Sequence, residues 1–271
     1  MKAASREALA QCQEKLDGYL REHDVQAAAQ TGLDLFEVVG VLDDHRDLRV
    51  ALTDDAAPAE ARQSLVRELF GSKVAESTLQ VLNDAVAQNW STGKEFVNGL
   101  STIGHRALLR GAEAQGQLEQ VEDELFQLSR VLDREGELTQ LLSDRTASSA
   151  KKRGLLANVL YGKVSMFAEA LALQAIGRPE KNSIDDVAAL AAQAADLRDR
   201  TIAHVAVARD VNDNQQAVLA EKLGKIYGRA VSIHTEVDPS LLGGMKIRVG
   251  DEVIDGSIQG KIARLRTAMS A

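Results

Sequence analysis

From Asp34 the chain reads DLFEVVGVLDDHRDLRVALTDDAAPAEARQSLVRELFGSKV, and from Glu124 it reads ELFQLSRVLDREGELTQLLSDRTASSAKKRGLLANVLYGKV. The two stretches align without a gap at a shift of 90 positions. Leu35, Phe36, Val41, Leu42, Asp43, Leu52 and Asp54 recur as Leu125, Phe126, Val131, Leu132, Asp133, Leu142 and Asp144, and Lys73-Val74 recurs as Lys163-Val164. Any two amphipathic helices share a period, but here the turns between helices match as well. That identifies an internal duplication. The unit is too long for a solenoid repeat and suits a small helical bundle. The reading is therefore a mainly α fold: two tandem helical bundles followed by a small α+β C-terminal module. The expected boundaries are 1–104, 105–200 and 201–271.

The periodicity fills in the bundles. Leu9, Cys12, Leu16 and Tyr19 fall at spacings of three and four, with Ser5 and Glu7 as a start signal. Leu33, Phe36, Val39, Val41, Leu42 and Leu48 predict a second helix. Thr53, Asp54, Asp55 and Pro58 mark a turn, and the next stripe is Ala61, Leu65, Leu69 and Phe70. A Gly71-Ser72 break precedes Val74, Leu79, Leu82 and Val86. Phe96, Val97, Leu100, Ile103, Ala107 and Leu108 hold helical register with no proline, so the last helix of the first bundle is expected to run into the first helix of the second.

After Thr201 the period changes to two. Ala203, Val205 and Val207 predict one strand, and Val231, Ile233, Thr235 and Val237 another, with a helix from about Asn212 to Tyr227 between them and Gly228 at its end. Met245, Ile247 and Val249 predict a third strand, turning at Gly250-Asp251 into a return over Glu252 to Asp255. A last helix aligns Ile258, Ile262, Leu265 and Met269.

Composition limits the function. A formal charge of −8 without a Lys/Arg block argues against nucleic acid. Cys12 is the one cysteine, so neither an internal disulfide nor a thiolate zinc site is expected, and it reads as a small buried hydrophobe. The opening residues lack a signal-peptide core, and no uncharged apolar run reaches the roughly 18 residues of a membrane span. Any membrane association is expected to go through a partner.

Three motifs invite chemistry. Gly243-Gly244 could cradle phosphate, but the pair leads into the strand-like MKIRV and not into a helix, so a conformational role is preferred. DVNDNQQAVLAE matches calcium-loop positions at Asp210, Asn212, Asn214, Gln216 and Glu221, yet Gln215 stands where glycine is needed; helix capping by Asn212 or Asp213 is the better account. His23, His45, His105, His204 and His234 lack zinc-motif spacing, and no serine shows a nucleophile-elbow pattern. Trp90, at a helix end, reads as local packing, with a partner contact as the sharper alternative. No catalytic, cofactor-binding or metal-ligating residue is nominated.

The stretch VDPSLLGGMKIRVGDEVIDGSIQGKIARLR resembles the C-terminal signature of the delta subunit of bacterial F-type ATP synthases, a relative of the mitochondrial oligomycin-sensitivity-conferring protein. The signature residues are Asp238, Pro239, Leu242, Gly243, Gly244, Ile247, Gly250, Asp255, Gly256 and Ser257, followed by the basic helix through Arg264 and Leu265. The likeness reaches back to about Leu100, and the duplicated bundle before it resembles actinobacterial forms. Mycobacterial relatives carry a fused membrane-anchored b-type segment, and with no such anchor in this sequence the b partner is expected to be a separate chain. The resemblance implies a non-catalytic stator of the peripheral stalk, without cofactor. It would link the α/β head to the b subunits at the cytoplasmic face of the plasma membrane and resist torque. It also implies that α-subunit N-terminal segments lie between the first and fifth helices of a bundle. Candidate contact residues are Leu9, Leu16, Tyr19, Leu79, Leu82, Leu108 and Leu171, with Ile258, Ile262 and Leu265 toward b. The rival reading is a generic helical adaptor unrelated to ATP synthase.

Overall fold

The computed structural model describes residues 1–21, 25–144, 146–198, 200–209, 211–227, 230–249 and 252–262. His23, Asp210, Gly228, Gly250, Asp251, Arg264, Leu265 and Met269 lie outside the described residues. The chain divides into two compact units, residues 1–190 and 191–271.

The first unit is helical: α1 (Ala3–Arg21), α2 (Val25–Asp44), α3 (Arg46–Leu52), α4 (Ala59–Phe70), α5 (Glu76–Ala87), α6 (Gly93–Ala114), α7 (Leu118–Arg134), α8 (Gly136–Ser143), α9 (Ser149–Leu160), α10 (Met166–Gly177) and the start of α11 (Ser183–Leu197). The sequence shift of 90 carries α4 onto α9 and α5 onto α10 end for end. It also carries the start of α1 onto that of α6, and the start of α6 onto that of α11. One long helix thus closes the first copy and opens the second.

The polar chemistry repeats with the backbone. Asp34 Oδ2 accepts from Ala75 N at 2.7 Å and Thr78 Oγ1 at 2.9 Å, securing the start of α5. Glu124 Oε2 accepts from Ser165 N at 2.8 Å and Ser165 Oγ at 2.6 Å, securing the start of α10. Both carboxylates satisfy amides that a helix start leaves unpaired. Asp54 and Asp144 form matching turns by accepting from Ala56 N and Thr146 N.

Two expectations are corrected. The helix read from Leu33 through Leu48 breaks at His45, because Arg49 Nη1 donates to the Leu42 and Asp43 carbonyls and so satisfies the end of α2. In the second copy Thr139 Oγ1 donates to the matching Leu132 carbonyl. Ser5 is not a cap: it lies inside α1, fully buried, donating to Glu95 Oε2 at 2.7 Å and accepting from Ser91 N, which ties α1 to the start of α6.

The first copy's core gathers Cys12 and Leu16 of α1, Leu35, Val39 and Leu42 of α2, Val81 to Val86 of α5, and Phe96 to Ala107 of α6. Trp90 belongs to it, 3% exposed, with its Nε1 donating to the Ala85 carbonyl at 2.8 Å and its ring edge-on to Phe96. Its partner is therefore its own chain. Burial raises the Cys12 thiol to about 12, so it stays protonated, as a buried hydrophobe should. Below the core, Arg106 and Arg110 of α6 donate to both oxygens of Asp17 at 2.6 to 3.1 Å. Burial pushes that carboxyl up, but the two guanidinium groups outweigh it and hold it at about 2.

The second unit carries β1 (Arg200–Val207), α12 (Asp213–Tyr227), β2 (Ala230–Val237), a short 3-10 turn (Pro239–Leu241), β3 (Met245–Val249) and β4 (Glu252–Asp255). The sheet order is β2-β1-β3-β4, with β1 parallel to β2 and antiparallel to β3. The parallel pair requires the α12 crossover. Ala203, Val205, Val207, Leu223, Ile247 and Val249 form the core. At the start of α12, Asn212 Oδ1 accepts from Gln215 N at 2.9 Å while Gln215 Oε1 accepts from Asn212 N at 3.0 Å. This reciprocal cap accounts for the calcium-like spacing.

Candidate functional site

The C-terminal signature builds a backbone joint. Asp238 N donates to the Val207 carbonyl, and its side chain accepts from Ser240 N at 2.9 Å, which sets the Pro239 turn. These hydrogen bonds to Ser240 hold the Asp238 carboxyl below its ordinary range. Leu242 follows at φ 59, Gly243 at φ 152 and Gly244 at φ 77, angles that favour glycine. A β-carbon on Gly244 would stand 2.5 Å from the Gly256 carbonyl oxygen, and one on Gly243 would stand 2.6 Å from Ile258 Cδ1. The close approach lets Gly256 N reach the Met245 carbonyl and Ile258 N reach the Gly243 carbonyl, both at 3.0 Å.

Asp255 and Ser257 finish the joint. Asp255 Oδ1 accepts from Ser257 N and Oγ, and Ser257 Oγ accepts from Gly260 N at 2.9 Å, opening the helical residues 258–262. Ser257 is 1% exposed. Ile247 sits in the sheet core. The signature residues described are spent on chain geometry, and Gly250 lies outside the described residues. Leu242, Ile258 and Ile262 are exposed, whereas Leu265 also lies outside them. The Gly243 backbone lies against Ile258, and Ile262 follows one helical turn later.

The candidate helical residues divide by burial. Leu16, Leu82, Leu108 and Leu171 are at most 1% exposed: the apolar period that nominated them marks the interior, and their contacts are with their own chain. Leu9, Tyr19 and Leu79 are half-buried against the first core. Between α1 and α5, Asp84 accepts from Lys15 Nζ at 2.5 Å and from Tyr19 Oη at 2.7 Å. That hydrogen bond, with burial and the Asp84 charge, raises the Tyr19 phenol to about 12. Asp84 and Lys15 are polar and lie off the apolar stripes of their helices, so periodicity gave no signal for them.

The equivalent α6–α10 face is different. Gly32 of α2 crosses α6 so tightly that a β-carbon there would stand 2.7 Å from Leu108 Cγ and 3.0 Å from the Gly104 carbonyl oxygen. Phe36 of α2 packs at 5.3 Å on the His105 ring. At the far end Arg178, just past α10, donates to Asp43 at 2.5 Å and to Asn98 at 2.7 Å. Burial, with a smaller contribution from Arg178, pushes His105 down to about 4. Among the described residues no group of three or more acidic, histidine or cysteine side chains is placed to hold a metal ion, and no helix is long and apolar enough to cross a membrane.

Comparison with known proteins finds sequence relatives along the whole length of the chain. The sequence pattern of the family described as ATP synthase delta (OSCP) subunit matches residues 105–269, which begins at the second helical copy. ATP synthase subunit delta of Corynebacterium aurimucosum is 68% identical over 271 residues, covering all of both chains. That of Corynebacterium efficiens is 62% identical, covering all of this chain and 99% of its own, and that of Corynebacterium jeikeium is 49% identical with full coverage of both. A chain of the Toxoplasma gondii mitochondrial ATP synthase hexamer, known from cryo-EM, shows a TM-score of 0.35 at 18% identity, covering 62% of this chain and 95% of that one. The relatives align over the first helical copy as fully as over the second, and the chain belongs to the ATP synthase delta (OSCP) family.

Proposed function

We propose that this chain is a non-catalytic stator subunit of the peripheral stalk of an F-type ATP synthase, holding the α/β head to membrane-anchored b subunits against rotational torque. The observation that carries the reading is the full-length identity of 68% with a protein named ATP synthase subunit delta. The signature supports it, because its described residues shape a joint. The protein works at the cytoplasmic face of the plasma membrane, bound there through its partners. The half-buried α1–α5 face, with Leu9, Tyr19 and Leu79, receives an N-terminal helix of an α subunit. The second unit, with exposed Leu242, Ile258 and Ile262, docks a helix of a b subunit through apolar burial.

The test is co-purification of the tagged full chain with the α and β chains, paired with a truncation after Val237. The full chain is expected to retain α and β and to bind a soluble b segment. The truncated chain, lacking β3 and β4, is expected to lose b while keeping the head subunits. Absence of α and β from the purified material would refute the reading, and undiminished b binding by the truncation would refute the assignment of the second unit.

A further inference from the structure

The duplication offers an internal control: what covers a face in one copy can be compared with what covers it in the other. On α1, Glu14, Lys15 and Gly18 are exposed, and a β-carbon on Gly18 would meet nothing within 4 Å. Their equivalents on α6 are Gly104, His105 and Leu108, which lie beneath α2. On α5, Gln80 is exposed and Asn83 and Asp84 are half-buried; their equivalents on α10 are Ala170 and Leu173, both half-buried, and Gln174, which is buried. Accordingly α10 has no charged residue between Glu169 and Arg178, as expected of a helix most of whose surface is covered. The contacts of α2 run the length of this face, from Ala28 and Phe167, which both lie against Gly111, to the Asp43–Arg178 pair.

We infer that α2 fills, from within the same chain, the α6–α10 face whose α1–α5 counterpart is open, so that the protein receives one partner helix and not two. The inference rests on the proposed α1–α5 docking of an α-subunit segment and adds its stoichiometry. Duplication then supplies no avidity toward α segments.

The closure is permanent because α2 cannot leave. It contributes Leu35, Val38, Val39 and Leu42 to the first core, and Asp34 secures the start of α5. A competing helix would have to unmake the first copy to reach α6 and α10.

Calorimetric titration of the full chain with a synthetic peptide of the α-subunit N-terminal segment tests this. One peptide per chain is expected. Gly18→Arg, with Gly18→Trp as a second bulky replacement, is expected to weaken binding tenfold or more while leaving the thermal unfolding curve in place. Amide exchange of residues 104–112 is expected to be unchanged by peptide, with protection rising in α1. Two peptides per chain would overturn the inference and leave the docking reading standing. So would a single site insensitive to both Gly18 variants. No binding to the wild-type chain would overturn the docking reading, and the inference with it.

Discussion

His105 supplies a sharp test of the packing between the two helical copies. Among the described residues its Nε2 is enclosed without a hydrogen-bond partner, its ring lies 5.3 Å from that of Phe36, and it titrates near 4 against 6.5 for a free imidazole. The folded pKa is depressed, so between 4 and 6.5 the unfolded chain binds the extra proton. The stabilisation is therefore complete above the unfolded value and is lost as pH falls through this window. Integrating the two titrations gives a loss of about 2 kcal/mol at pH 5 and about 3 kcal/mol at pH 4 relative to neutral pH. For a unit of this size that corresponds to roughly 4–8 °C in melting temperature at pH 5. The assay is urea and thermal unfolding of wild type and His105→Leu at pH 7.5 and 5.0. Other histidines and carboxylates contribute equally to both proteins, so the informative quantity is the difference between them. The wild type is expected to lose about 2 kcal/mol more than the variant. Equal losses would show that His105 is not held neutral beneath α2, and the account of that interface would fall.

Two further substitutions address other parts of the fold. Gly244→Val places a β-branched side chain at φ 77, against the Gly256 carbonyl, and is expected to cost about 3 kcal/mol or more and to expose the second unit to limited proteolysis; wild-type melting would contradict the joint. Asp34→Ala and Glu124→Ala each remove the acceptor at the start of a fifth helix and are expected to cost a similar 1–2 kcal/mol, roughly; a loss confined to one of them in denaturant unfolding would contradict the equivalence of the two copies.

Much of this fold was legible because its information is local or periodic. The duplication fixed helix order, and the change of period after Thr201 announced the sheet, whose Ala203, Val205 and Val207 do face the core. The glycine pair was readable because it precedes an alternating run. What periodicity cannot supply is the identity of the surface that covers an apolar face. Leu16, Leu82, Leu108 and Leu171 had the right spacing for partner contacts, yet each is covered by its own chain. Nor does spacing foretell polar pairs between distant helices. Asp17 is 89 residues from Arg106, and Asp43 is 135 from Arg178, so neither pairing leaves a local pattern.

One sign of this cover is written in the sequence. Aligned on the shift of 90, α5 carries Gln80, Asn83 and Asp84 where α10 carries Ala170, Leu173 and Gln174. Two copies of one bundle with equal surroundings should keep equal polarity at equal positions, so an apolar drift in one copy marks a face that has acquired a cover. The shared helix explains where that cover comes from. Because α6 contributes Phe96, Leu100 and Ile103 to the first core and then continues into the second copy, α2 must pack along both of its halves. The helix that completes the first bundle is thereby laid across the second. Joining the copies through one continuous helix thus places them in one compact unit, and it makes their outer faces unequal.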